Sequence, residues 1–151
     1  MDFLAADGHF GIGSDSNICT LPMQELRTLE YSQRLLHRQR NILCSEQLPN
    51  VGSYLWQKAA HGGGRAAGRA IGQIAEGCRA DFVELGYDFN GIMAAVTPEA
   101  VLDFHMFSGQ QAEIAGVYVA GRQVIRDGQH PEQATIDASY FSTMQRLAQK
   151  L

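Results

Sequence analysis

From Met23 to about Leu43 the chain carries neither glycine nor proline, and Leu26, Leu29, Leu36 and Leu43 recur at helical spacings. Just upstream, Thr20 is an N-cap candidate and Pro22 falls within the first turn, where its missing N–H costs nothing. Glu25 sits early in the run, and Arg34, His37, Arg38 and Arg40 sit late, which suits the helix dipole. The pattern predicts one long helix over this stretch. A chain built around it must bury the apolar side of that helix against the shorter, glycine-punctuated segments on either side.

Those segments alternate in type. Phe10-Gly11-Ile12-Gly13 ends abruptly in Ser14-Asp15-Ser16, as a buried strand running into a loop would. After the break at Pro49-Asn50-Val51-Gly52, Ser53 is placed to cap a second helix through about Ala60. His61-Gly62-Gly63-Gly64 is expected to interrupt it, with helix resuming over 65–70. Gly72 and Gly77 predict turns leading into a strand at Asp81-Phe82-Val83-Glu84-Leu85. Thr97-Pro98-Glu99 opens a further helix that ends before Gly109. The run from Gly116 to Ile125 predicts a hairpin with Gly121 free to take positive φ, and Asp127-Gly128 closes it. Residues from about Pro131 to Leu151 predict a final helix. No internal repeat and no clear linker divides the chain.

Length and charge set outer limits. At 151 residues the chain suits one domain of ordinary size. A complete (β/α)₈ barrel, which needs about 200 residues or more, does not fit. With 45% apolar and 19% charged residues it can bury a core. Sixteen acidic against twelve basic residues give a net charge of −4, which argues against a mainly electrostatic nucleic-acid binder. Cys19, Cys44 and Cys78 form no C-x-x-C pair, so neither a disulfide framework nor a zinc ribbon is suggested. The start of the chain lacks the basic and apolar regions of a signal peptide, and no apolar run approaches the ~20 residues that span a bilayer. The expectation is a soluble, cytoplasmic protein that meets neither nucleic acid nor membrane.

Most candidate chemistry reduces to a structural reading. The glycines of His61-Gly62-Gly63-Gly64-Arg65 lack the Gly-Lys-Ser/Thr ending of a phosphate loop, so a helix break with close backbone packing explains them better. The basic group Arg34, His37, Arg38 and Arg40 suits a solvated face. The five histidines show no H-x-H or H-E-x-x-H spacing. Gly13-Ser14-Asp15-Ser16 is not the G-x-S-x-G of a serine hydrolase. Asp15 remains. Alone, an aspartate after a short apolar run is usually a turn former or cap.

Its company says more. Gly11-Ile12-Gly13-Ser14-Asp15-Ser16, continued by Glu25-Leu26-Arg27, Leu29-Glu30-Tyr31 and Gln33-Arg34-Leu35, resembles the amidohydrolase superfamily, and within it the formimidoylglutamate deiminases of histidine degradation. Ala59-Ala60-x-Gly62-Gly63 and Gly72-x-Ile74-x-x-Gly77-x-x-Ala80-Asp81-Phe82-Val83 are similar to the segment that links barrel to β-sandwich in that superfamily. Val117-x-Val119-x-Gly121-Arg122-x-Val124-x-x-Asp127-Gly128 resembles its closing sandwich strands. The first stretch points to the deiminases; the other two are superfamily-wide.

The resemblance implies an α/β fold: the C-terminal fragment of a metal-dependent amidohydrolase TIM barrel with part of its small β-sandwich. Residues 1–70 would supply the last barrel strand and C-terminal barrel helices, 71–130 a sandwich portion with an inserted helix, and 131–151 a C-terminal helix. Asp15 would end the eighth strand, at the catalytic face of such barrels. There it would be both a ligand of a divalent metal, zinc by the resemblance, and the catalytic proton acceptor from the metal-bound water. Ser14 and Ser16 are candidates to orient its carboxylate. The reaction implied is hydrolysis of N-formimino-L-glutamate to N-formyl-L-glutamate and ammonia. The family's H-x-H pair and later histidines have no counterpart here, and one aspartate cannot hold a catalytic zinc that normally needs three protein ligands. Metal binding and activity by this chain alone are therefore not expected, and the residues that bind substrate are not identified. Expected partners are the missing N-terminal segment or further copies of the chain. Two other readings stand beside this one: another aminohydrolase of the superfamily, or a non-catalytic oligomerising fragment.

Overall fold

The computed structural model describes residues 2–16, 19–88, 90–108 and 113–150. Within them the chain forms α1 (Asp2–Ala5), α2 (Pro22–His37), α3 (Val51–Ala66), β1 (Phe82–Gly86), two 3₁₀ turns (Gly91–Ala95 and Pro98–Ala100), α4 (Val101–Phe107), β2 (Glu113–Val119), β3 (Arg122–Arg126) and α5 (Gln133–Ala148). Helices and one small sheet share the chain, an α/β content.

The core lies where α2, α3 and α4 meet. Leu26, Leu55 and Met106, one from each helix, are fully enclosed, and Met23, Leu43, Val51 and Ala59 pack around them. Each large apolar side chain enclosed this way contributes roughly 1.5–3 kcal/mol. Polar ties lock α3 to α4 and the turn before it. Asp103 on α4 accepts the amide of Gly52 through one oxygen and the Asn50 side-chain amide through the other, at 2.8 Å. The Ser53 hydroxyl donates to the Glu99 carbonyl at 2.8 Å, so the first turn of α3 is held from outside its own helix.

The long helix predicted to about Leu43 stops at His37. Arg38 takes a left-handed conformation (φ 53°), as does Asn41 (φ 53°), and the chain folds back along α2. The cause is Glu30. Its completely buried carboxylate receives the amides of Ile42 and Leu43 at 3.1 and 3.0 Å and the Arg34 guanidinium at 2.7 Å. Leu43 thus reaches the core from the returning segment, while Leu36 is left 71% exposed. His37, Arg38 and Arg40 are solvated as expected. Arg34 is not: it is half-buried beside Glu30, with its guanidinium 4.9 Å from the Phe107 ring centroid.

A second expectation also fails. His61-Gly62-Gly63-Gly64 does not break the helix, because α3 runs through it to Ala66. The close packing expected of those glycines is present. The Phe10 carbonyl lies where a Cβ on Gly62 would be, so the Phe10–Gly11 backbone rests directly on the helix.

Three strands pair antiparallel in the order β1-β2-β3, with Val83 opposite Val117 and Val117 opposite Ile125. The hairpin of β2 and β3 turns on Ala120 (φ 51°) and Gly121 (φ 77°), the two positive φ values that a tight, right-twisted hairpin needs. Phe82 and Tyr118 stack across β1 and β2 with centroids 4.3 Å apart. The strand expected at Phe10–Gly13 is not paired into this sheet; a strand needs a neighbour for its ladder, and β1 to β3 pair only with one another. The final helix forms as α5, yet among the described residues it packs on no other element. Ile136, Tyr140, Met144 and Leu147, spaced along one face, are 45–58% exposed. Among the described residues no helix is long and apolar enough to cross a membrane.

Candidate functional site: Asp15 and the helices behind it

Asp15 sits in a turn at the end of the Phe10–Ser14 run, with φ at 46°. An aspartate tolerates that left-handed conformation better than most residues do. Its side chain is exposed, Ser14 is half-buried and Ser16 is exposed. Among the described residues no side-chain hydrogen bond reaches any of the three, so the two serines do not hold the carboxylate here.

What positions this turn lies behind it. Phe10 packs into the edge of the helical core, and Gly11 lies against Gly62 and Gly63 of α3. On the other side, Phe3, Leu4, Phe10, Ile12, Glu25 and Leu29 help to line a concavity of about 510 Å³ between this run and α2. Glu25 and Gln33 are its polar groups, and Asp15 does not line it. The turn is therefore backed by packed helices and open in front.

No group of three or more His, Cys, Asp or Glu residues able to hold a metal ion exists among the described residues. Asp15 belongs to no such group among the described residues, whereas a catalytic zinc draws on three protein ligands and a water. The residues present do not fit a complete metal centre. Of the histidines, His9 meets Arg65 and His105 lies on α4.

A second concavity, about 620 Å³ and largely apolar, separates α3 and α4 from the sheet and is lined by Met23, Trp56, Phe82, Leu85, Leu102 and His105, among others. His105 is buried, and its Nδ1 lies 2.8 Å from the Tyr87 hydroxyl. Burial pushes its imidazole below the ordinary value, and the Arg27 cation adds to the effect. Arg27 itself donates from Nε to the Met106 carbonyl, tying α2 to α4. Near the start of β1, Asp81 accepts from Arg79 Nε at 2.8 Å and from the Ala120 amide at 2.7 Å. Both contacts hold its carboxyl below the usual range, Arg79 most.

The sequence reasoning missed Glu30, Asp103 and His105 as organising groups. One signal was available for Glu30: it follows Leu26 by four residues and therefore shares its buried helical face.

No family model matches the chain. Over 129 residues it is 43% identical to the formimidoylglutamate deiminase of Pseudomonas aeruginosa, a match covering 85% of this chain and 28% of that protein. The crystal structure of an amidohydrolase from Brucella melitensis superposes with a TM-score of 0.86 at 36% identity, covering 97% of this chain and 32% of that one. The resemblance read from the Gly-Ser-Asp-Ser run and the later segments is thus shown at the level of sequence and of three-dimensional structure. The chain spans less than a third of the length of either relative.

Proposed function

We propose that this chain is the part of an amidohydrolase-type, C–N-cleaving hydrolase that carries the Gly-Ser-Asp-Ser turn, and that the complete enzyme hydrolyses N-formimino-L-glutamate to N-formyl-L-glutamate and ammonia. The observation that carries the reading is the 43% identity over 129 residues to a formimidoylglutamate deiminase. In this reading residues 1–70 belong to the end of a barrel, 71–130 to a β-sandwich portion and 131–151 to a C-terminal helix, and the protein works in the cytoplasm.

Asp15 is the residue we assign to the reacting centre, contributing a carboxylate to a divalent-metal site of the zinc class. Its exposed position at the end of a run supported from behind by α2 and α3 suits a group that completes its surroundings with residues from elsewhere. Among the described residues no donor set holds the metal, so no catalytic step is assigned to the chain alone. The remaining ligands and the substrate-binding groups would come from a polypeptide corresponding to the larger part of the relatives.

The test combines this chain with the remaining portion of the Pseudomonas relative and follows ammonia release from N-formimino-L-glutamate. Activity in the mixture, absent from either piece and lost with Asp15→Asn, supports the reading. Cleavage by the isolated chain, or tight stoichiometric zinc binding by it, overturns the claim that its site is incomplete. Release from other amidines or from heterocyclic amines, with none from the formimino substrate, moves the assignment to a different aminohydrolase. The bare apolar face of α5 favours one further reading, a non-catalytic fragment that associates with copies of itself. That reading expects a stable oligomer and no activity in any mixture.

A further inference from the structure

At the far end of α3, away from the helical core, four basic side chains line one concavity of about 480 Å³: His9, His61, Arg65 and Arg69. We propose that this is a binding site for a phosphate-class oxyanion, either the free anion or a phosphoryl group carried on a small ester. The proposal does not depend on the hydrolase reading above.

The backbone builds the site. His61 and Arg65 are four residues apart and so share one face of α3. Because Gly62 has no side chain, Phe10 settles on the helix, and this places His9 beside Arg65, with Nε2 2.7 Å from a guanidinium nitrogen. A guanidinium can only donate, so His9 Nε2 accepts, and Arg65 is fixed in place while keeping further N–H groups for a ligand. Gly64 likewise lets the Ile71 carbonyl approach α3, and the Arg69 amide bonds to the Gly64 carbonyl at 3.2 Å. The chain beyond the helix is thereby folded back, and Arg69 joins the same wall.

The charge is lopsided. No acidic residue lines the concavity, in a chain whose net charge is −4. The acids that feel these arginines are already engaged: Asp7 pairs with Lys58 at 3.0 Å and Asp81 with Arg79 at 2.5 Å. Among the described residues neither Arg65 nor Arg69 has an ion-pair partner. Two forked guanidinium groups and two imidazoles around one hollow match an anion that presents several oxygens, since arginine binds phosphate in bidentate fashion. The hollow exceeds what a bare phosphate fills, which leaves room for the body of an ester.

The five histidines of the chain provide an internal control. Inorganic phosphate is titrated at constant ionic strength while the histidine ring resonances are followed by NMR, with chloride as the matched salt. Saturable shifts confined to His9 and His61, with His37 and His130 unmoved, are expected. Arg69→Gln, whose side chain makes no hydrogen bond among the described residues, should weaken binding about tenfold, as should Arg65→Gln. Lys150→Gln should leave it unchanged, and far-UV circular dichroism checks that each variant folds. A parallel titration with a pentose phosphate separates the two sources: tighter binding assigns the carried group, equal binding the free anion. Shifts spread over all exposed histidines, shifts reproduced by chloride, or none at all would overturn the proposal and leave these side chains as a solvated cap on the helix dipole.

Discussion

The carbonyl of Phe10 occupies the space that a side chain on Gly62 would need. The run leading to Asp15 and the helix behind it are therefore joined backbone to backbone. Gly62→Ala should force them apart and destabilise the fold by about 1–3 kcal/mol, the usual cost of overpacking a close contact. Gly63 is its control, because a Cβ there meets nothing within 4 Å. Gly63→Ala should be neutral or raise stability by up to about 1 kcal/mol through helix propensity alone. In thermal melts Gly62→Ala should lower the midpoint and Gly63→Ala should not.

Glu30 is the acceptor that ends α2. Removing it leaves the amides of Ile42 and Leu43 and the Arg34 guanidinium without their acceptor. Glu30→Ala should cost about 3–5 kcal/mol, in the range for breaking a buried charged pair, and denaturant titration measures it. Hydrogen exchange should show the amides of Ile42 and Leu43 losing protection first.

His105 sets a pH dependence. Its imidazole is held neutral in the fold, below its ordinary value, so the unfolded chain binds the proton more readily. Stability is therefore complete above about pH 6.5, the unfolded value, and falls as the pH drops toward the folded value. Melting temperatures recorded from pH 8 to pH 5 should decline, and His105→Gln should flatten the curve.

Asp81 acts lower on the scale. Its folded carboxyl is depressed by Arg79 and the Ala120 amide, so its tie to the hairpin is present above the ordinary carboxylate value of about 3.9 and is lost as the pH falls below it. In a carbon-13 titration Asp81 should have a midpoint below the usual aspartate value, and Arg79→Gln should raise it.

Asp15→Asn should separate stability from chemistry. The side chain is exposed and unbonded among the described residues, and asparagine accepts the left-handed conformation. The melting midpoint of the chain should correspond to a change within about 0.5 kcal/mol, while ammonia release in the reconstituted enzyme disappears. A large loss of stability would give the residue a structural task instead.

Local signals were legible in the sequence, and long-range ones were not. Gly121 and Asp127-Gly128 announced the hairpin because turn chemistry is written in neighbouring residues. Thr97-Pro98 announced the start of a helix for the same reason. Leucine spacing continues past His37 and so hides the end of α2, while the group that turns the chain lies twelve residues before the amide it captures. The triple glycine shows close packing in the sequence but not the survival of the helix, on which the distant Phe10 and Ile71 lie. At the site, Asp15 was legible only through the residues that resemble the amidohydrolases. The ties that organise the helices behind it, Asp103 to Gly52 and Arg27 to Met106, join residues 51 and 79 positions apart, a separation that local sequence context does not reveal.

The bare stripe on α5 has a bearing on how long the molecule persists in a cell. Quality-control machinery recognises apolar side chains that stay in water, and a helix fixed to nothing frays into extended chain that proteases can grip. Unless a companion covers Ile136, Tyr140, Met144 and Leu147, turnover should be rapid and should begin at this end. A pulse-chase measurement, with and without a co-produced companion, thus reads the occupancy of that stripe as a lifetime.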